Sequence, residues 1–360
     1  MGQLVIGLDL GTTFCKAAAY ELDGTLRASA TAAIATRRPA PGWAEQDPLD
    51  WTAAIQAVLS ECAASLGSDA RAVAAIGVSS HGPGLIPTDE HFRPLALAPI
   101  WQDQRAAGLL PELLERIGCD WVGLGMPESS FVMKLFWAQR NQAETIDRAA
   151  YLFDVKGFLL ATLTGRVVDE SSCSPGGRGW NQATFERLGV DLEKLPETVP
   201  SLSVIGPLRP ELARAVGLPV HTVVVAGLND GAAATLGAGV VEQGQGIVSL
   251  STNGVMRTLV PARVPGKTLV GNSFFCYSYA NDCFVTGGTT KSGGDSVRWL
   301  IDTFLSGYPE DSVYDQIARD ASASPLGANG VVFMPYLMGA GSPHSHQEPQ
   351  GAFLRLGRHH

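Results

Sequence analysis

The chain has 360 residues, 45% of them hydrophobic and 17% charged, with a formal net charge of −9. Its size exceeds one ordinary core and predicts two domains, and the balance fits a well-packed α/β enzyme while excluding a disordered or fibrous chain. The negative charge argues against a broad nucleic-acid-binding surface, and no apolar run reaches the length of a membrane span.

Residues 4–8 read as an apolar strand, entered with no basic and apolar leader before it. Gly11-Thr12-Thr13 is a turn, 16–20 a second strand, and Leu22-Asp23-Gly24-Thr25 a hairpin signal before a third strand over 26–34. A Pro/Gly-containing loop covers 39–47. Over 49–66 Trp51, Ile55, Val58, Leu59 and Cys62 recur at helical spacing. Residues 73–78 form a short buried strand that ends in the loop Ser79-Ser80-His81-Gly82-Pro83-Gly84.

From 104 to 163 the pattern is mostly helical, with Pro127 and Gly157 as punctuation; 165–208 is loop-rich, and 211–216 is a short helix. A β-branched strand over 221–226 runs into Gly227-Leu228-Asn229-Asp230-Gly231 and an Ala-rich helix to Leu236. Strands over 246–249 and 255–260 then flank Leu250-Ser251-Thr252-Asn253, much as two strands flank Leu10-Gly11-Thr12-Thr13. This is a weak internal repeat in which each half opens on the same hairpin. Six scattered cysteines (Cys15, Cys62, Cys119, Cys173, Cys276, Cys283) form no Cys-x-x-Cys pair. They read as reduced thiols of a soluble cytoplasmic protein, with neither zinc nor disulfides.

Phosphate tails need backbone N–H groups and small hydroxyls at a sharp turn, where bulky side chains would block approach. Gly11-Thr12-Thr13 meets that need. Asp9 beside it is placed to hold Mg²⁺ through water, and Lys16 on the adjoining strand adds positive charge. The turn is not a Walker A loop, and an ordinary hairpin explains the same residues. Asp230 follows a buried strand and starts a helix, where open α/β sheets place ligands. A carboxylate there can take the proton of an attacking hydroxyl, or simply cap the helix. His81, and Trp101, Asp103 and Arg105 in Trp101-Gln102-Asp103-Gln104-Arg105, suit a polyol, but each also serves as an ordinary structural loop residue.

Taken together the motifs resemble the FGGY family of carbohydrate kinases. They are GLDLGTT (7–13), WAEQDP (43–48), HG (81–82), WQDQR (101–105), VVAGLNDGAAATLGAG (224–239), LSTNG (250–254) and PYLMGAGSPH (335–344), in the family's order. The resemblance implies two ribonuclease-H-like, actin-like lobes around a cleft, divided as 1–240 and 241–360. The sugar lies mainly on the first lobe, with ATP and Mg²⁺ across the cleft. It places Asp230 at the catalytic base and Asp9 near the metal. It assigns Gly11, Thr12 and Thr13 to one phosphate loop, beside which Lys16 is read as a cofactor-binding charge, and Ser251, Thr252 and Asn253 to the other. His81, Gly82, Trp101, Asp103, Arg105 and Asn229 fall on the sugar side.

The chain departs from the family pattern at three places. Ser251 and Asn253 stand where the family shows Gly-Thr-Ser, so a glycine's tighter geometry is lost. Ser79-Ser80-His81-Gly82 stands where xylulokinases, the branch it most resembles, carry Gln-Met-His-Gly. Beyond GAFLRLG no Gly-Gly-x-x-Ser adenosine segment follows, so an incomplete second lobe is expected. A ketopentose such as D-xylulose is the favoured substrate, with gluconate, ribulose and other linear polyols as alternatives; the glycerol kinase branch, with its Arg-Glu pair, fits worse. The partner is a small sugar, with no nucleic acid or membrane, and a homodimer is compatible with the family. The competing class is an actin-like module that binds nucleotide or sugar without transferring phosphate.

Overall fold

The computed structural model describes residues 2–118, 130–173, 182–263, 274–305, 307, 312–342, 344 and 349–358. Cys119 and Pro127 lie outside them. The described cysteines are free thiols, and among the described residues no helix is long and apolar enough to cross a membrane.

The first sheet is built around β1 (Leu4–Leu10), in which alternate residues are buried. It pairs antiparallel with β2 (Phe14–Glu21), which pairs with β3 (Leu26–Ala33). On its other side β1 runs parallel to β4 (Val73–Ser80) and β4 parallel to β6 (Val223–Asn229), edged by antiparallel β5 (Val204–Pro207). Helix α1 (Pro48–Leu66) is capped by the Asp47 carboxylate and has Pro48 in its first turn; its Trp51, Ile55, Val58, Leu59 and Cys62 are buried in the core beneath. Three parallel strands thus end at one edge of the sheet. Gly11, His81 and Asp230 each follow one of those ends.

Three sequence expectations need correction. Strand β4 runs on to Ser80, so the loop begins at His81. Gly157 lies inside helix α3 (Val155–Thr164): a Cβ there would sit 3.3 Å from the Asp169 carboxyl carbon, so the glycine serves close packing and not a break. The stretch 165–208 contains β5, which joins the sheet, because its Val204 and Pro207 find free backbone partners on β6.

A second, antiparallel sheet comprises β7 (Gly246–Leu250), β8 (Gly254–Val260), β9 (Phe275–Ser278) and β10 (Phe284–Thr289) in the order β7-β8-β10-β9. The hairpin repeat is present but unequal. The first turn closes by Gly11 N–H to Phe14 C=O at 2.9 Å, and the second one residue sooner, by Ser251 N–H to Asn253 C=O at 2.9 Å.

Candidate functional site

Strand β6 reaches the site edge through a bulge. Its pairing passes from Val225 opposite Gly77 to Leu228 opposite Ser79, one residue extra on β6. Gly227 takes φ +70°, and any Cβ on it would run into the Val78 backbone. The carbonyls of Val78, Ala226 and Leu228 all accept hydrogen bonds from the fully buried ammonium of Lys156 on α3. A buried cation thereby replaces ladder bonds that the bulge removes.

Beyond the bulge, Asn229 caps α4 (Asp230–Gly237): its Oδ1 accepts the Ala232 N–H at 2.8 Å, and its Nδ2 donates to the Ser172 carbonyl at 3.0 Å. Both ends of the amide are engaged in holding the helix start. The sequence left the cap to Asp230; the structure gives it to Asn229. Asp230 occupies the first helical position, open to the cleft, with Oδ1 accepting its neighbour's Gly231 N–H at 2.6 Å. Protein crowding around the carboxyl raises its pKa, and nearby Asp9 raises it further. The Gly231 N–H and the charges of Arg257 and Lys156 oppose the shift.

Arg257, on β8, reaches this helix from the second sheet. A Cβ at Gly231 would lie 2.6 Å from the Tyr277 hydroxyl and 3.2 Å from Arg257 Nε, so a glycine is needed for the approach. Arg257 donates to Ser249 Oγ at 3.3 Å and to the Tyr277 phenol, while its buried Nε has no partner among the described residues.

Asp9 accepts a hydrogen bond from Ser79 Oγ at 2.7 Å on Oδ1, and Lys16 lies directly opposite it in the β1–β2 register, on the same face. A Cβ on Gly11 would sit 3.0 Å from the Phe14 carbonyl. Thr12 and Thr13 follow, with Thr12 half-buried and Thr13 exposed. In the second turn Ser251, Thr252 and Asn253 are exposed and none takes a left-handed φ, so Ser251 fits without strain. That turn is seated on the start of α5 (Gly294–Phe304). Gly293 N–H donates to Thr252 C=O at 2.8 Å and Gly294 N–H to Ser251 C=O at 2.6 Å. A Cβ on Gly293 would lie 2.6 Å from the Asn253 carbonyl carbon, which explains the Gly-Gly pair.

At the end of the strand between those that lead to Asp230 and to Gly11, His81 donates its backbone N–H to the Leu10 carbonyl at 2.8 Å and is buried, with both ring nitrogens unpartnered among the described residues. Burial, reinforced by the Lys134 charge, lowers its pKa to about 4, so the imidazole is neutral. The Asp154 carboxyl is fully buried, and burial lifts its pKa to about 6. Its Oδ1 accepts the Gly84 N–H at 2.7 Å, and its Oδ2 has no partner among the described residues. Gly82 lies over this carboxylate: a Cβ there would be 3.7 Å from Asp154 Oδ1. Orphan buried polar atoms are rare in a folded chain unless a ligand or water completes them. Lys134, buried on α2 (Phe131–Asn141), is lowered to about 8 by burial against the pull of Asp154 and Asp103.

Asp103 and Arg105 are brought together, but largely for each other. Arg105 pairs with Asp103 and Glu45 at 2.7 Å each and lies 3.6 Å over the Trp43 ring. Asp103 Oδ2 also accepts the Ala44 N–H at 2.7 Å. These residues staple the 43–46 segment to the 101–105 loop. Trp101 Nε1–H reaches across to the Thr12 hydroxyl at 2.9 Å.

Sequence reasoning missed Gln46, Lys134, Asp154, Lys156, Arg257 and the Gly293-Gly294 pair. The available signal was a lone lysine inside an apolar helical run, as in Phe131-Val132-Met133-Lys134-Leu135-Phe136 and in Asp154-Val155-Lys156-Gly157-Phe158.

Comparison with known proteins gives a consistent picture. Residues 4–237 match the model of the N-terminal domain of the FGGY family of carbohydrate kinases. The chain is 27% identical to a xylulose kinase of Lactococcus lactis subsp. lactis, over 99% of this chain and 72% of that protein. It is 25% identical to a gluconokinase of Bacillus subtilis, over 100% of this chain and 72% of that one. In fold it is similar to a crystal structure of a xylulose kinase from Rhodospirillum rubrum, with a TM-score of 0.90 at 22% identity over 99% of this chain and 74% of that chain.

Proposed function

The chain belongs to the FGGY family of carbohydrate kinases, so its reaction is ATP-dependent phosphorylation of a sugar hydroxyl, and we propose that Asp230 is the base and a ketopentose such as D-xylulose the acceptor. The carrying observation is the division of labour at the start of α4. Asn229 takes the cap, which leaves the Asp230 carboxylate in the cleft at the same sheet edge as the Gly11-Thr12-Thr13 turn and the His81 ring, whose nitrogens have no partner among the described residues.

Asp230 takes the proton of the attacking hydroxyl as its oxygen forms a bond to phosphorus, and the bond to the leaving ADP oxygen breaks. His81, neutral and with its ring unpartnered among the described residues, offers one donor and one acceptor to the sugar; Gly82 leaves room beside it, and Trp101 lines the wall. Asn229, Asp103 and Arg105 position these groups. Thr12, Thr13, Ser251, Thr252 and Asn253 supply hydroxyl, amide and backbone donors to the phosphates from the two turns, with Gly11 allowing close approach and Lys16 adding charge. Asp9 accepts from Ser79 through Oδ1, its charge raises the pKa of Asp230, and the repulsion between the two carboxylates suits a divalent cation. Asp9 would hold Mg²⁺ there, which supplies charge neutralisation for the phosphates.

The division into lobes at about residue 240, a cytoplasmic setting, a homodimer and the absence of nucleic-acid partners belong to this reading. D-gluconate is the second acceptor, favoured by the buried Lys134 ammonium beside His81, a group suited to a carboxylate. Sugar-dependent ADP formation from ATP and Mg²⁺ across D-xylulose, D-ribulose, D-gluconate and glycerol tests the assignment. Highest turnover with D-xylulose is expected. Highest turnover with D-gluconate moves the assignment to the acid, and silence with all of them overturns it.

A further inference from the structure

Two side chains from the acceptor side converge on Thr12. Trp101 Nε1–H donates to its hydroxyl oxygen at 2.9 Å, and Gln46 Nε2–H donates to its carbonyl at 2.7 Å. Gln46 is fully buried and itself fixed: it donates to Thr36 Oγ1 at 2.8 Å and accepts the Trp51 indole N–H at 2.8 Å. Trp51 in turn meets the His81 ring edge-on, with centroids 5.7 Å apart. Contacts therefore run unbroken from the His81 imidazole through Trp51 and Gln46 to the first turn. Trp101 is a second and direct link.

The direction of these bonds matters. An indole N–H only donates, so the Thr12 hydroxyl must accept from Trp101 and keeps its own proton for another acceptor. A phosphate oxygen in the cleft is such an acceptor. The carbonyl bond from Gln46 fixes the peptide on the other side of the same residue. Neither bond would be needed to close the hairpin, which Gly11 N–H to Phe14 C=O already does.

We propose that Trp101 and Gln46 are positioning residues that orient Thr12 toward the transferred phosphate, so that phosphate alignment is built from the acceptor side of the cleft. The proposal rests on the kinase reading above. It gives the Trp101 N–H a role separate from that of its ring as a wall of the sugar site.

Trp101→Phe keeps an aromatic wall and removes the donor; Thr12→Val removes the hydroxyl and nearly keeps the shape; Thr12→Ser keeps the hydroxyl. Turnover with D-xylulose is read by ADP release, and binding of D-xylulose and of a non-hydrolysable ATP analogue with Mg²⁺ by calorimetry. The loss of one hydrogen bond corresponds to a fall in kcat of roughly tenfold in Trp101→Phe, with D-xylulose affinity within about twofold of the unaltered chain. Thr12→Val should match it, Thr12→Ser should restore most of the loss, and the double variant should be no worse than Thr12→Val alone. Gln46→Leu should show the same kcat loss.

Weaker D-xylulose binding with kcat preserved in Trp101→Phe would overturn the proposal, leaving Trp101 as a sugar wall only. So would losses that multiply in the double variant. Binding of a non-hydrolysable ATP analogue with Mg²⁺, which keeps the terminal phosphate, carries the same cycle without turnover. A silent unaltered chain therefore counts against the kinase reading, and a multiplicative cycle counts against this inference.

Discussion

Asn229 caps the helix that Asp230 begins: the amide oxygen of one residue accepts the Ala232 N–H at 2.8 Å, and the carboxylate of the next is thereby released into the cleft. The cap that the sequence reading allowed to Asp230 falls to its neighbour. Asn229→Ala removes that cap and the bond to Ser172, and should cost about 1 kcal/mol or more of stability. It should also lower kcat, because the Asp230 backbone loses its support. Asn229→Asp keeps the capping oxygen and should be less destabilising, while placing a second charge beside Asp230. Thermal unfolding with ADP-release kinetics on both variants checks the ranking; Asn229→Ala with unchanged stability would contradict it.

Arg257 is the second-sheet cation that faces Asp230, together with Lys156 from α3 and against Asp9 from β1. Protein crowding around the carboxyl has already raised the Asp230 pKa, so removing Arg257 should raise it further. The base must be ionised to act, so its activity is lost as pH falls through that raised pKa. Arg257→Gln should therefore shift the acid limb of the kcat/KM profile to higher pH, and Arg257→Lys should shift it less. An unmoved acid limb in Arg257→Gln would exclude the electrostatic link.

His81 makes stability pH-dependent. The folded imidazole takes a proton only near pH 4, because it is buried beside Lys134, whereas its ordinary value is 6.5. Between those values the unfolded chain binds more protons, so the contribution is intact above pH 6.5 and is lost as pH falls toward 4. Asp154, held up to about 6 by burial, runs the opposite way: its contribution is present at low pH and lost as pH rises through 6. Comparison with His81→Gln cancels Asp154, and the stability difference should shrink by about 3 kcal/mol from pH 7 to pH 4. Denaturant titrations at the two pH values measure it, and parallel curves would contradict it.

Gly227→Ala tests the bulge. The residue needs φ +70° and has no space for a Cβ against Val78, so the substitution should cost more than about 2 kcal/mol. A denaturation midpoint equal to that of the parent would show that β6 does not depend on the bulge.

The strands and the principal helix were legible because their signals are local. The strand β1 appears as an apolar run, and the Trp51-Ile55-Val58-Leu59-Cys62 stripe of α1 as a periodicity of about four residues. The turns at Gly11 and Ser251 and the strand-to-helix junction at Asp230 were visible for the same reason. What stayed hidden depends on distant partners. Lys156 bonds to carbonyls 70 or more residues away in sequence, and Arg257 meets Asp230 from another sheet. Asp103 and Arg105 looked like sugar ligands because a charged loop pair gives no sequence sign that Glu45, Ala44 and Trp43 already engage it. The second turn looked impaired by Ser251. Its backbone needs no glycine, because the glycines that matter are Gly293 and Gly294, some forty residues on.

The most direct test of the central claim compares the unaltered chain with Asp230→Asn in sugar-dependent ADP formation, with D-xylulose binding measured in parallel by calorimetry. A base contributes on the order of 10²- to 10⁴-fold, so turnover should fall by at least about a hundredfold while D-xylulose affinity stays within a few-fold. Near-normal turnover in Asp230→Asn would remove Asp230 from the chemistry and contradict the account.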